Sequence, residues 1–170
     1  MKDLPVRKNI RLNHYDYSRA GCYFITMCVK DRHEMLRKIV MDTEPPVGAN
    51  CVRPQLSKYG NIVEKEISVL SETYDTVDVI KYVIMPNHVH MIIEIDGDYG
   101  IGVGDGRAQC APTIPRIIKQ FKGSITKQIG FSLWQKSFHD HIIRNEAEYQ
   151  NIWRYIDENP ARWEEDEYYK

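Results

Sequence analysis

Two histidines two residues apart, His88 and His90, stand in a run rich in β-branched and apolar residues from Tyr82 to Ile95. Successive side chains of a strand alternate faces, so the two imidazoles point the same way and can hold one metal ion together. Val89, Met91, Ile93 and Ile95 take the opposite parity and are expected to face the core, leaving His88, His90, Ile92 and Glu94 on the other side. Far downstream, Tyr155 and Asn159 are one helical turn apart and therefore neighbours in space. A hydroxyl nucleophile, a divalent cation and ligands to hold it are what metal-assisted attack on a phosphodiester requires. Two imidazoles and the Asn159 amide oxygen would leave coordination positions open for phosphate, with Glu148, on the same helical side, the alternative third ligand. An ordinary phenol of pKa about 10 is only about 0.1% ionised at pH 7. A neighbouring cation would lower that pKa and neutralise charge in the transition state.

These residues need elements to position them, and the sequence pattern supplies an order. Tyr23 to Val29 is aromatic and β-branched and reads as a strand closed by Lys30-Asp31-Arg32. Asp42 to Pro54 reads as loop. Ile62, Val63, Ile67 and Leu70 recur at helical spacing between Ser57 and Tyr74. Thr76–Met85 and His88–Ile95 form a strand pair about Pro86-Asn87. The glycine-rich stretch from Gly97 to Pro112 reads as a flexible loop. Its Gly100, Gly102 and Gly104 fail the dinucleotide pattern, because Asp105 follows and no helix opens there.

A further helix is expected between Thr113, as N-cap, and Gly130, with Ile117, Ile118, Phe121, Ile125 and Ile129 as its apolar stripe. Ser137 to Arg144 alternates like a strand, and Asn145 caps a last helix that runs to Asn159-Pro160. Strand, helix, two strands, helix, strand, helix suits an α+β ferredoxin-like sandwich. In it an antiparallel sheet carries helices on one face and the histidines on the other.

Charge and composition narrow the function classes. The 170 residues fit a single domain, and the net charge of −1 gives no global preference for a polyanion. Its distribution does. Arg107 to Arg144 holds seven Lys or Arg against one acid, Asp140, for a net +6, while Asn145 to Lys170 holds eight acids against three bases, for −5. Arg116, Lys119, Lys122, Lys127, Lys136 and Arg144 are the candidate phosphate contacts, since backbone neutralisation dominates nucleic-acid affinity. Cys22, Cys28, Cys51 and Cys110 form no CxxC pair and read as free thiols. With neither a leader pattern nor a long apolar run, a soluble cytoplasmic protein is expected, with no membrane partner.

Three stretches taken together resemble one family: Tyr82-Val-Ile-Met-Pro-Asn-His88-Val-His90, Trp134-Gln-Lys-Ser-Phe-His-Asp-His-Ile-Ile-Arg144 and Tyr155-Ile-Asp-Glu-Asn159-Pro160. The likeness is to the single-tyrosine HUH transposases (transposase IS200-like), most of all the branch associated with repetitive extragenic palindromes (REP). It runs from about Tyr15 to Trp163. The resemblance implies a transposase that cuts and joins single-stranded DNA with hairpin ends, using Mg²⁺ or Mn²⁺. It implies Tyr155 as nucleophile, forming a 5′-phosphotyrosine link, and His88, His90 and Asn159 as metal ligands. It divides the chain into a basic N-terminal arm (1–20, with Arg7, Lys8 and Arg11), a catalytic domain (21–163) and an acidic tail (164–170). Monomer and homodimer are both compatible with it.

Plainer readings stand beside these. A lone HxH is more often structural, and His139-Asp140-His141 could join His88 and His90 in a four-histidine zinc site. Asn159 before Pro160 is also an ordinary helix terminator. Trp134, Phe138 and Trp153 are most economically core, although Trp134 lies in the basic stretch where it could stack on a base. A domesticated hairpin-binding protein that no longer cuts is the alternative function.

Overall fold

The structure is a computed structural model that describes residues 15–39, 54–97 and 112–169. The predicted basic arm and the two predicted loops fall wholly or largely outside those residues. Six strands and three α-helices are described: β1 (Gly21–Cys28), β2 (Arg37–Ile39), β3 (Pro54–Leu56), α1 (Lys58–Thr73), β4 (Val77–Ile84), β5 (His88–Ile95), α2 (Ile114–Ile129), β6 (His139–Ile143) and α3 (Glu146–Glu158). A 3-10 segment, Asn159–Glu165, continues from α3.

β4, β5, β1 and β6 form one antiparallel sheet in that spatial order, the ferredoxin-like arrangement. β2 and β3 pair separately as a short hairpin that sequence pattern does not reveal. Three paired residues leave too short a run for a period to show.

Alternation on the strands divides the molecule into layers. Tyr23, Ile25 and Met27 of β1 join Val89, Met91, Ile93 and Ile95 of β5 in the larger core. Val63, Ile67 and Leu70 of α1 and Ile117, Ile118, Phe121 and Ile125 of α2 cover them. The opposite face of β5 carries His88, His90 and Ile92, and there α3 lies. Ile156 and Trp163 pack on Val83, Met85 and Ile92 in a second, smaller core. A bulge between Val79 and Lys81 shifts the parity of β4, so Lys81 and Val83 face α3 while Tyr82 and Ile84 face the helices. Lys81 then reaches Asp157 at 2.6 Å and lies 4.0 Å over the Trp153 ring, pinning α3 to the sheet edge.

Local sequence sets the helix limits. Ser57 Oγ accepts from the Tyr59 and Gly60 N–H groups at the start of α1. Thr113 caps α2, and Gly130 closes it at φ 87°, a left-handed position that glycine takes without penalty. Asn145 Oδ1 accepts from the Glu148 N–H to open α3. Gly60 is required for another reason: a Cβ there would stand 2.1 Å from the Leu36 carbonyl oxygen.

Candidate active site

The register aligns the chemistry across three strands. His90 pairs with Thr26, and Thr26 with His139; His88 pairs with Cys28. The Thr26 hydroxyl lies 2.8 Å from His90 Nδ1, so donation of the Nδ1 proton to it leaves Nε2 unprotonated, an acceptor on the site side. His88 is fixed the same way by Asn87. The Asn87 amide nitrogen donates to the Arg32 and Tyr168 carbonyls, at 3.3 and 2.8 Å, which turns its oxygen to His88 Nδ1 at 2.9 Å. That oxygen can only accept, so Nδ1 carries the proton and Nε2 presents a lone pair to the site.

Both imidazoles are buried, at 0% and 1% exposure. Burial is the main cause that pulls His88 down to about 3, helped by the Arg32 charge, and it takes His90 well below its ordinary value, helped by His88. Both are therefore neutral at pH 7, the state a ligand needs.

The third donor is one that sequence did not single out. Asp166, just past the 3-10 segment, places Oδ2 3.9 Å from His88 Nε2, with a side chain 2% exposed. His88, His90 and Asp166 offer donor atoms all within 4.8 Å of one another, a group that could hold a metal ion. Asn159 Nδ2 donates to Asp166 Oδ2 at 2.9 Å and holds that carboxylate in place. The Asn159 Oδ1 and His88 Nε2 atoms are buried with no hydrogen-bond partner. Burying such atoms unpaired is costly. Two orphaned acceptors beside a buried carboxylate therefore fit a cation.

Glu148, the alternative third ligand, is occupied elsewhere. One oxygen lies 2.6 Å from His141 Nε2, and the other accepts from the Arg144 N–H at 2.7 Å. The Arg144 N–H first, and His141 second, hold this carboxyl below its usual range. His139 and His141 lie on β6, separated from β5 by β1. Glu148 already engages His141 Nε2, and His139 is exposed. Among the described residues the metal-capable group contains neither, so the four-histidine zinc site is not formed.

Tyr155 stands over the pair. Its hydroxyl is 3.2 Å from His90 Nε2, and its ring meets His90 at 5.2 Å and Phe24 at 6.1 Å between centroids. Burial, and then the Asp166 charge, push the phenol up to about 12, with the Asn159 amide opposing. A cleft of about 1010 Å³ opens beside it, walled by Thr26, His139, His141, Asn151, Tyr155 and Tyr168. Its acid groups are Glu148, Glu158, Glu165, Asp166 and Glu167, against one cation, Arg162, which Glu158 and Glu165 already engage.

The acidic tail closes the floor. The Tyr168 ring lies 4.6 Å from His88 and the Trp163 ring 5.9 Å. Arg32 donates to the Glu167 carbonyl at 3.1 Å and lies 5.2 Å over Tyr168. Arg32 and Asp31 adopt φ of 56° and 57°, a conformation non-glycine residues take at a cost.

The predicted phosphate contacts are dispersed. Arg116, Lys119 and Lys127 are exposed on α2, on the opposite layer from Tyr155. Lys136 and Arg144 are exposed on either side of β6. Lys122 turns inward: its ammonium donates to the Gln135 and Ser137 carbonyls at 3.0 and 2.8 Å, and burial pulls it down to about 8.

A ferredoxin-like sheet with a His-x-His pair beneath a helix-borne tyrosine is the arrangement expected from the sequence resemblance, and the chain is similar to the REP-associated tyrosine transposases in sequence and fold. More particularly, it belongs to one family with an uncharacterized protein of Haemophilus influenzae, 33% identical over 177 residues that cover 96% of this chain and 93% of that one. A second Haemophilus influenzae protein, named as a putative REP-associated tyrosine transposase, is 23% identical over 86% of this chain and 74% of its own length. Among solved structures, the REP-associated tyrosine transposase bound to a REP hairpin shares the fold, with a TM-score of 0.60 and 19% identity over 90% of this chain and 74% of that one. No family model matches the chain. Among the described residues, no helix is long and apolar enough to cross a membrane.

Proposed function

We propose that the protein is a metal-dependent single-stranded DNA endonuclease and strand transferase, a transposase acting at hairpin-bearing ends. The observation that carries this reading is the Tyr155 hydroxyl, 3.2 Å from His90 Nε2 on the wall of a cleft of about 1010 Å³. His88, His90 and Asp166 would hold Mg²⁺ or Mn²⁺, with Asn159 either steadying Asp166 or adding its free Oδ1. When bound, the cation supplies charge neutralisation at the scissile phosphate and favours the phenolate.

Tyr155 then attacks the phosphorus and forms a tyrosyl–phosphate bond as the bond to the 3′ oxygen breaks. The phenol proton leaves to solvent in the cleft, and the departing oxygen takes one up as a 3′-hydroxyl. The link keeps one phosphoester for each broken, so attack by another 3′-hydroxyl rejoins the strand without ATP. Asn87 and Thr26 hold the imidazole lone pairs on the site throughout.

A second reading, binding without cleavage, is favoured by one feature: His88 has no exposed surface, closed under Tyr168 and Trp163. One experiment separates the two. Labelled hairpin DNA from the flanks of the protein's own gene is incubated with Mn²⁺ or EDTA, beside Tyr155→Phe. A metal-dependent covalent adduct absent from the variant is the expected result. Tight binding without an adduct in either Mg²⁺ or Mn²⁺ would leave the binder.

A further inference from the structure

Away from the cleft, the approach to β6 builds a second recess, of about 440 Å³, between α2 and residues 132–138. Its walls include Ile118, Lys119, Lys122, Trp134, Lys136 and Phe138. The backbone here is fixed. Trp134 bridges to Val29, Gln135 N–H donates to the Cys28 carbonyl at 2.9 Å, and Lys122 clamps the Gln135 and Ser137 carbonyls from below. Trp134 itself is 4% exposed, and its indole Nε1 is buried with no partner among the described residues. An indole N–H is a donor only, so an acceptor entering the recess would give it the partner it lacks among the described residues. Lys119 and Lys136 are exposed at the rim and form no ion pair among the described residues.

Position adds to chemistry. Cys28, which holds Gln135, is paired with His88 on the neighbouring strand, so the recess lies at the metal end of the sheet. From Phe138 the chain passes directly into His139 and His141, which line the catalytic cleft. Residues 134–141 therefore border both openings. A single strand leaving the cleft over the β6 edge passes from an acidic wall to a basic, aromatic one.

We propose that this recess takes one unstacked nucleobase of the single strand, whose ring-nitrogen or carbonyl acceptor receives the Trp134 indole N–H, with flanking phosphates on Lys119 and Lys136. Every base offers a ring or carbonyl acceptor and an apolar face, so the recess grips a base without reading its identity. Lysines and an aromatic wall with an unused donor suit a nucleotide better than a free phosphate, which would leave Trp134 and Phe138 idle. The inference rests on the single-strand reading above and adds where the strand is held outside the cleft.

The test uses the full chain in EDTA, with a short fluorescent thymidine homopolymer and an abasic strand of equal length. By anisotropy, the wild-type protein binds the base-bearing strand about tenfold more tightly. Trp134→Phe lowers that affinity to the abasic level and leaves abasic binding unchanged. Lys119→Ala with Lys136→Ala weakens both strands alike and shallows the salt dependence by about 0.7 for each phosphate no longer neutralised. Equal wild-type affinity for the two strands, or a preference that survives Trp134→Phe, overturns the proposal. Should Trp134→Phe fail to fold by circular dichroism, photocrosslinking of a 5-bromodeoxyuridine strand to the wild type decides: attachment at Trp134 or Phe138 supports the recess, and attachment only elsewhere overturns it. Base preference without a Tyr155 adduct sinks the nuclease and spares the recess; an adduct without base preference does the reverse.

Discussion

Asn87 and Tyr168 are 81 residues apart in the chain, yet the Asn87 amide nitrogen donates to the Tyr168 carbonyl at 2.8 Å. That bond orients the amide that fixes the His88 tautomer, and it also anchors the tail that delivers Asp166. Metal competence and tail docking are thereby one structural event. Asn87→Ala should cost both: Mn²⁺ affinity by calorimetry about 10–100-fold lower, and faster amide exchange in residues 166–169. Unchanged exchange in the tail would show that Asn87 acts on His88 alone.

Asp166→Asn separates Asp166 from Asn159 as donors. Loss of the carboxylate charge should lower Mn²⁺ affinity at least as far as loss of an outer partner does, about 10–100-fold. Asn159→Ala, which removes a support and one orphaned oxygen, should cost less. The reverse order would make Asn159 the principal ligand.

For the metal-free protein, acid should destabilise. His88 is held down to about 3 by burial, whereas an unfolded histidine titrates near 6.5. Between those values the unfolded chain binds more protons, so stability rises with pH and is lost as pH falls below about 6.5. Each unit costs up to about 1.4 kcal/mol per histidine. Thermal melts in EDTA from pH 7.5 to 5 should show a falling Tm, with a shallower slope in His88→Gln.

Divalent cation should raise both stability and DNA affinity. At a hundredfold excess over Kd, Mn²⁺ adds about 2.7 kcal/mol to unfolding, visible as a higher Tm, and a loss of affinity of about 10–100-fold in Asp166→Asn cuts that gain to about 0.4–1.4 kcal/mol. The carboxylates lining the cleft repel a phosphate backbone, so hairpin DNA should bind more weakly in EDTA than in Mn²⁺. Equal affinities would place the DNA away from this cleft.

Gly60→Ala tests the packing of α1 on the β2 side. The new Cβ meets the Leu36 carbonyl oxygen, which is backbone and cannot rotate away. A loss of about 1–3 kcal/mol is expected by denaturant titration.

How much of this was legible in the chain follows from the range of the interactions involved. His88 and His90 share a face because of a two-residue period, and Val89 to Ile95 announce the other face through the same period. Ser57, Thr113, Gly130 and Asn145 mark helix ends through contacts within four residues. The stripes of α1 and α2 follow the 3.6-residue period, and the alternation of helices and strands limits the sheet order.

Asp166 was visible only as part of an acidic run, a composition that ordinarily means a solvated tail. Its role depends on the 3-10 segment reversing the chain, on Trp163 packing against Met85 and Ile92, and on Asn87 and Arg32 holding residues 167 and 168. No local period encodes contacts between residues so far apart. Lys122 and Lys119 carry the same charge three residues apart, yet one is half-buried with its ammonium on carbonyls and the other faces solvent. Sequence alone thus determined which residues share a face and where elements end, because those depend on backbone geometry repeated every few residues. Only the tertiary structure decided which carboxylate meets the histidines and which cations stay free, because those depend on distant surfaces packing together.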